Sequence, residues 1–259
     1  HVADREAVEK LVVSEFHRCQ VRANVLGAII LARGFAGWDE TQPWRRAEAD
    51  SFAGMAADFT LLRVLAQRAI DDGVTPGLVL GLARGGRVRF LDAFGQRRIV
   101  PNVQRLTTDV VYDLASLTKA VVTSLLVMRG VGSGIWALDD PLGKHLPSLA
   151  ARPEVTLRRT LAHAAGFVAH RPFFEQVIDK GVAPADGRER IVALAAAEPL
   201  AFQPGTRSLY SDLGFILLGD LVERGLGGRL DALAERLLWA PLGLRATGFA
   251  GSAALAGRT

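Results

Sequence analysis

Cysteine is nearly absent from this chain: its 259 residues include one, Cys19. That excludes a disulfide framework and any site built from several thiolates of one chain. Lysine is scarce too, with only Lys10, Lys119, Lys144 and Lys180, so arginine supplies most of the positive charge behind a formal net of +4. The arginines lie scattered, singly or in pairs such as Arg45-Arg46, Arg97-Arg98 and Arg158-Arg159. A nucleic-acid footprint would gather them on one face with interleaved aromatics, so no nucleic-acid partner is expected. No apolar run approaches the roughly 20 residues that cross a bilayer, and no transmembrane segment is expected. With 49% hydrophobic and 22% charged residues the chain is not collagen-like, low-complexity or disordered. A globular chain, long enough to bury a core, is what remains.

Order along the chain is uneven. Residues 1–54 show no regular pattern and read as an N-terminal extension, with Met55 as the expected natural start. The apolar stretch 24–32 behind Arg18 and Arg22 is short for a signal peptide, and no small-x-small cleavage site follows it. Residues 55–259 read as one domain. Leu61, Leu62, Leu65, Ala66, Ala69 and Ile70 recur at helical spacing, with Gly73 as a stop. The runs 77–83 and 88–94 flank Gly85-Gly86, a pair that supplies positive φ at both centres of a tight turn, and predict a β-hairpin. Residues 110–114 lead into a helix from about 116 to 128, stopped by Gly130 and apolar on most faces, hence expected to be deeply buried. Further helices are expected at about 157–164, 187–197, 211–224 and 229–238. Strands first and a helical insert after outline an α+β protein. Two strands alone make a marginal sheet, so others must pair from elsewhere or lie beyond Thr259.

One local pattern carries chemistry. Ser116 and Lys119 stand three residues apart on the expected helix, which puts hydroxyl and amine on one face. A serine is a poor nucleophile until a base takes its proton. Burial disfavours a charged lysine, so Lys119 is expected to titrate well below the ordinary lysine value and act as that base. The structural alternative makes Ser116 a helix cap and sends Lys119 to solvent; nine serines and four lysines give about 0.14 such pairs by chance. A second candidate is Tyr210-Ser211-Asp212, where a phenolate base would need an ammonium such as Lys119 beside it. Its structural alternative is a turn and helix cap. His145, His163 and His170 lack a metal-ligand spacing and read as structural, so no metal is expected. Residues 130–134 read as a helix stop and loop, and Asp139-Asp140-Pro141 as the cap of the next turn.

These residues carry a resemblance. The chain resembles the serine β-lactamase-like family: class C β-lactamases, penicillin-binding DD-peptidases and related serine esterases. The likeness takes in Ser116-Leu-Thr-Lys119, Leu138-Asp-Asp-Pro141 and Val155-Thr-Leu-Arg-Arg-Thr-Leu-Ala-His163-Ala-Ala-Gly166-Phe167. It continues through Phe202-Gln-Pro-Gly205, Tyr210-Ser-Asp-Leu-Gly-Phe-Ile-Leu-Leu-Gly219 and Pro241-Leu-Gly-Leu-Arg-Ala-Thr-Gly-Phe249, over about 59–251. It implies a β-lactamase/transpeptidase-like α+β fold, with an antiparallel sheet flanked by helices and an inserted all-helical domain. Ser116 and Lys119 would lie at their junction, facing Tyr210. It further implies Ser116 as the acylated nucleophile, Lys119 as its proton acceptor, and Tyr210 as partner base and leaving-group acid. The reaction would be metal- and cofactor-free hydrolysis of an ester, a β-lactam or a D-amino-acid peptide, a small or peptidoglycan-like substrate.

Two departures from the family pattern follow. The second motif usually ends in Asn, and here Asp212 takes that substrate-facing place, where a carboxylate can hold Lys119 charged. The third motif, a Lys or His, a small residue and Gly, is not found; Ala246-Thr247-Gly248 lacks the cation and matches a helix–loop segment. The resemblance thus implies that this strand and its sheet neighbours lie beyond Thr259. In the family that strand gives one N–H of the oxyanion hole, and one lost donor costs about 2.7 to 4 kcal/mol. A catalytically silent module of the same fold is therefore the rival expectation. Family members work in periplasm and cytoplasm alike, so localisation stays open, as does oligomeric state.

Overall fold

A computed structural model describes residues 21–24, 58–179 and 184–249. They fall into two compact units, one drawn from 23–112 and the other from 113–249 with 21–22. A short strand β1 (Val21–Asn24) precedes the regular part of the chain. No helix among the described residues is long and apolar enough to cross a membrane.

The first unit is built on a hairpin. Helix α1 (Thr60–Asp71) opens with the Asp58 carboxylate accepting from the Thr60 N–H at 2.9 Å and ends at Gly73, as its spacing predicts. Strands β2 (Gly77–Arg84) and β3 (Arg87–Arg98) pair antiparallel, with Arg84 opposite Arg87. The two-residue turn between them holds Gly85 at φ 59° and Gly86 at φ 70°, the positive values that match the twist of the strands. The expected third strand comes from close by: β4 (Gln104–Arg105) pairs with β3 to complete a three-stranded antiparallel sheet. Phe90 is the buried anchor of β3, with the Phe59 ring 5.2 Å away and the Arg63 guanidinium 4.9 Å above it. Arg63 also pairs with Asp92 on the same strand. Strand β5 (Val111–Asp113) leads out of this unit.

The second unit is helical and centres on α6. Its first helix covers 117–132, with a π-helical segment Lys119–Ser124 followed by α2 (Leu125–Gly132). Val122, Leu126 and Val127 are wholly buried, but Leu117 and Met128 are exposed, so the expected all-round burial holds for one face only. The helix also runs through Gly130 instead of stopping there. Gly130 is a notch: a Cβ at that position would lie 2.1 Å from the Trp136 ring, and one at Gly225 would lie 2.2 Å from the same ring. The indole is thus seated between α2 and α6 because both helices lack a side chain where it passes.

Past Trp136, Asp140 accepts from the Ala137 N–H at 3.0 Å, from Lys144 at 2.9 Å and from His145 at 3.1 Å, which holds its carboxyl well below the usual range. That is the turn expected at 139–141, and it gives His145 the structural role expected of it. Helix α3 (Leu157–Leu161) is capped by the Thr156 hydroxyl and is shorter than predicted; α4 (Phe173–Asp179) was not predicted. Then come α5 (Pro184–Ala197) and α6 (Asp212–Leu226), the latter closed by Gly227 at φ 66°. Helix α7 (Leu230–Ala234) runs into a second π-helical segment, Glu235–Trp239, and a short α8 (Ala240–Leu242). Thr247–Phe249 forms strand β6, where a helix–loop segment was expected. Helices α2, α3, α5 and α7 all pack on α6, whose Leu213, Leu217, Leu218 and Leu221 are buried. Each such leucine contributes roughly 1.5–3 kcal/mol of transfer free energy.

Candidate active site

The site begins at a tight turn. The Asp113 carboxylate accepts from the Ala115 N–H at 2.8 Å and holds Ala115 at φ 43°, in the left-handed region. Successive bonds from Leu117 N–H to Leu114 C=O (2.8 Å), Thr118 to Ala115 (3.1 Å) and Lys119 to Ser116 (3.1 Å) wind this turn into the helix. Ser116 therefore sits at the helix entrance, and Lys119 follows one turn later on the same face. Lys119 Nζ donates to Ser116 Oγ at 3.2 Å. The structural alternative for both residues fails: the serine hydroxyl receives the amine rather than capping a backbone N–H, and the Lys119 side chain is 18% exposed.

The other wall comes from the loop 163–172 and the start of α6. Lys119 Nζ contacts Asp212 Oδ1 at 2.8 Å and lies 5.1 Å from the Tyr210 ring centre and 6.0 Å from that of Phe215. Burial pulls the Lys119 pKa down, but the Asp212 carboxylate and the Tyr210 phenol together outweigh it, and the net shift is upward. This corrects the sequence expectation of a lysine lowered by burial. Lys119 is an ammonium at rest, because Asp212 stands where an uncharged amide was the family pattern. Burial likewise pushes Asp212 up, and the Lys119 and His170 contacts more than reverse it, leaving the carboxyl below its ordinary value.

Asp212 is held from both sides. Its backbone N–H donates to Ala169 C=O at 2.9 Å, and its Oδ2 lies 3.1 Å from His170 Nδ1. Ser211 caps α6, accepting from the Gly214 N–H at 3.4 Å while donating to Val168 C=O at 2.7 Å. His163 Nδ1 accepts from the Ser211 N–H at 3.0 Å, which assigns the proton of its neutral ring to Nε2. The ring lies 4.6 Å from that of Tyr210 and 5.0 Å from that of Phe215. Burial and the Lys119 charge lower its pKa and keep it neutral. His163 adopts φ 56°; it and Ala115 are the two described non-glycine residues with positive φ, and both border this site. Such conformations cost about 1–3 kcal/mol each and persist where surrounding contacts enforce them.

An open cavity of about 490 Å³ is lined by Ser116, Lys119 and Tyr210 on its polar side and by Leu117, Leu161 and Phe215 on its apolar side. A larger depression of about 610 Å³ beside Phe202 and Gln203 holds none of these groups, so the chemistry points to the smaller one. Among the described residues no group of His, Cys, Asp and Glu is placed to hold a metal ion.

Ser116, Lys119, Tyr210 and Asp212 are thus brought together within the helical unit. Sequence reasoning missed His170 and Phe215 and gave His163 no place beside the site. The Thr-Leu-Ala-His163 stretch was a usable signal for His163. Nothing local marked His170, whose partner lies 42 residues away.

Known proteins place the chain in a family. The model of the family described as Beta-lactamase matches residues 62–259. An Escherichia coli (strain K12) protein named as a D-alanyl-D-alanine carboxypeptidase is 31% identical over 153 residues, 56% of this chain and 35% of its own. Among solved structures, EstCE1, described as a hydrolase with promiscuous acyltransferase activity, superposes with a TM-score of 0.61 at 27% identity, covering 72% of this chain and 51% of its own. SurE with D-Leu superposes at 0.59 with 29% identity, covering 71% of this chain and 40% of its own. The chain thus spans about half, or less, of the length of these relatives. With a family match over more than half its length and a fold of helices plus an antiparallel sheet, the chain belongs to the Beta-lactamase family and has its β-lactamase/transpeptidase-like fold.

Proposed function

We propose that the protein is a serine hydrolase that forms an acyl-enzyme on Ser116 from an ester, a β-lactam or a D-amino-acid peptide. The observation that carries this reading is the Lys119 ammonium, 3.2 Å from Ser116 Oγ and fixed by Asp212, at the wall of an open cavity. In acylation the serine oxygen bonds to the substrate carbonyl carbon and loses its proton, while the carbonyl electron pair moves to oxygen. The C–N or C–O bond then breaks, the leaving group takes up a proton, and water later releases the acyl group. The Ser116 N–H has no partner among the described residues and is free to donate to the developing oxyanion.

Lys119 has two tasks in this scheme. As an ammonium it stabilises the serine oxygen as negative charge develops there. It accepts the serine proton only after giving up its own, so acylation is expected to accelerate as pH rises toward the raised lysine value. Tyr210, half exposed on the opposite wall, is assigned the proton transfer to the leaving group. The names of the relatives support this substrate range: a D-alanyl-D-alanine carboxypeptidase, a hydrolase with acyltransferase activity, and a protein solved with D-leucine.

A second reading has its own support. The 2.8 Å contact of Lys119 with Asp212 keeps the would-be base charged, as in a binding module that has lost catalysis. Intact mass after incubation with a fluorophosphonate and, separately, with a penicillin separates the two, using Ser116→Ala as control. A single adduct that vanishes in the variant establishes the nucleophile, and the preferred reagent divides esterase from penicillin-recognising chemistry. A folded chain that takes up neither reagent is the silent module.

A further inference from the structure

Four groups form one line through the site. Ser116 Oγ accepts from Lys119 Nζ at 3.2 Å, Lys119 contacts Asp212 Oδ1 at 2.8 Å, and Asp212 Oδ2 meets His170 Nδ1 at 3.1 Å. We propose that His170 is a positioning residue for Lys119, acting through Asp212: by occupying Oδ2 it aims the carboxylate and limits how much of its charge the lysine feels. The sequence motif supplies the carboxylate where an amide is usual, and the loop 163–172 supplies the ring that engages it.

The geometry leaves His170 little else to do. Its side chain is 55% exposed, is not part of the buried core, and among the described residues makes one side-chain bond, to Asp212. The loop is pinned on either side of the contact, since Ser211 Oγ donates to Val168 C=O and the Asp212 N–H donates to Ala169 C=O. Each carboxylate oxygen therefore has its own partner. A second donor on Oδ2 draws charge away from Oδ1, and the attraction on Lys119 weakens accordingly.

Other charges face this line and set the background. Lys119 is faced by Tyr210 beside Asp212 and by neutral His163 across the cavity. Beside His170, the Arg171 guanidinium is engaged by Glu198 at 2.8 Å and also donates to the His170 carbonyl at 3.4 Å. None of these replaces His170 on Oδ2.

The lysine itself is the readout. With four lysines in the chain, the Cε resonance of Lys119 in ¹³C-lysine-labelled protein is assigned by its loss in Lys119→Arg. His170→Ala frees Oδ2 and is expected to move the Lys119 titration midpoint upward. His170→Arg, which is charged at all working pH values, is expected to move it downward. In an Asp212→Asn background the His170→Ala difference should vanish, which a merely structural role for His170 does not produce, while the His170→Arg shift should shrink to the direct repulsion between two cations. An unchanged midpoint in both His170 variants overturns the proposal, and so does a His170→Ala shift that persists in the Asp212→Asn background. The consequence for Ser116, though not for Lys119, rests on the acyl-enzyme reading: the pH limb of fluorophosphonate labelling should follow the lysine midpoint. Should the parent protein not label at all, that reading fails, and the lysine titration still decides the role of His170.

Discussion

The two units bury their apolar residues very differently. The helical unit closes around one core that runs from Val122 to Phe249 and includes two tryptophans, Trp136 and Trp239. Among the described residues of the sheet unit the buried apolar ones are Ala66, Phe90 and Leu106, while Leu61, Val64, Leu65, Leu82, Val88, Ile99 and Val103 are exposed. Both contain hydrogen-bonded helix and strand. The difference is packing: every residue of the candidate site stands on the unit with the closed core, which also carries the two strained backbones.

The comparison breaks most visibly at Trp136. Trp136→Ala empties the space that Gly130 and Gly225 were shaped to admit, and neither helix can collapse into it without moving the other. A loss of about 3–5 kcal/mol is expected from urea unfolding followed by far-UV circular dichroism. A loss below about 1 kcal/mol would mean that the helical core is not closed around the indole. Next in size is Ser211→Ala. It removes the α6 cap and leaves the part-buried Val168 carbonyl without its donor, at an expected cost of about 1–2 kcal/mol in the same assay. Because Ser211 also orders the loop that carries His170, the variant should reduce Ser116 labelling as well.

How far the sequence reached follows the same division. The hairpin and α1 were legible because their determinants are local: a Gly-Gly turn, and apolar residues three and four apart. Yet the spacing of α1 says nothing of burial, and Leu61 and Leu65, which define it, are exposed. Gly130 was misread as a stop because its meaning lies in a partner on the following loop and in Gly225 on a distant helix. Ser116, Lys119, Tyr210 and Asp212 were found through a short motif and a resemblance. His170 was not, since its role exists only once the loop folds over the α6 N-terminus. For Lys119 the sequence offered both outcomes, burial lowering it and Asp212 holding it charged, and the choice between them rests on a 2.8 Å contact between residues 93 positions apart in the chain.

Asp212→Asn tests that charge with little cost to the fold. Its side chain is about a third exposed, so loss of the ion pair is expected to cost less than about 1 kcal/mol. The sign follows from the depressed Asp212 value. Its contribution is present above the unfolded carboxylate value of about 3.9 and is lost as pH falls through the lower folded one. Parent and variant stabilities should therefore converge in strong acid. Activity moves the other way: without the carboxylate, burial governs Lys119, its pKa falls, and labelling of Ser116 should reach its maximum at lower pH. A pH limb unchanged from the parent would mean that Lys119 is not the group whose deprotonation limits acylation.

The smallest effect belongs to the open side of the comparison. Leu61 is 67% exposed on α1, with Val64 and Leu65 beside it on the helix surface. Replacing it with serine removes apolar area that water already reaches, so the unfolding free energy should change by no more than about 0.5 kcal/mol. The residual cost is helix propensity, since serine is a weaker helix former than leucine by a few tenths of a kcal/mol. A loss above about 1.5 kcal/mol is what a buried leucine side chain would give. That result would mean the α1 face is covered in solution, and the contrast between a closed helical unit and an open sheet unit would fall with it.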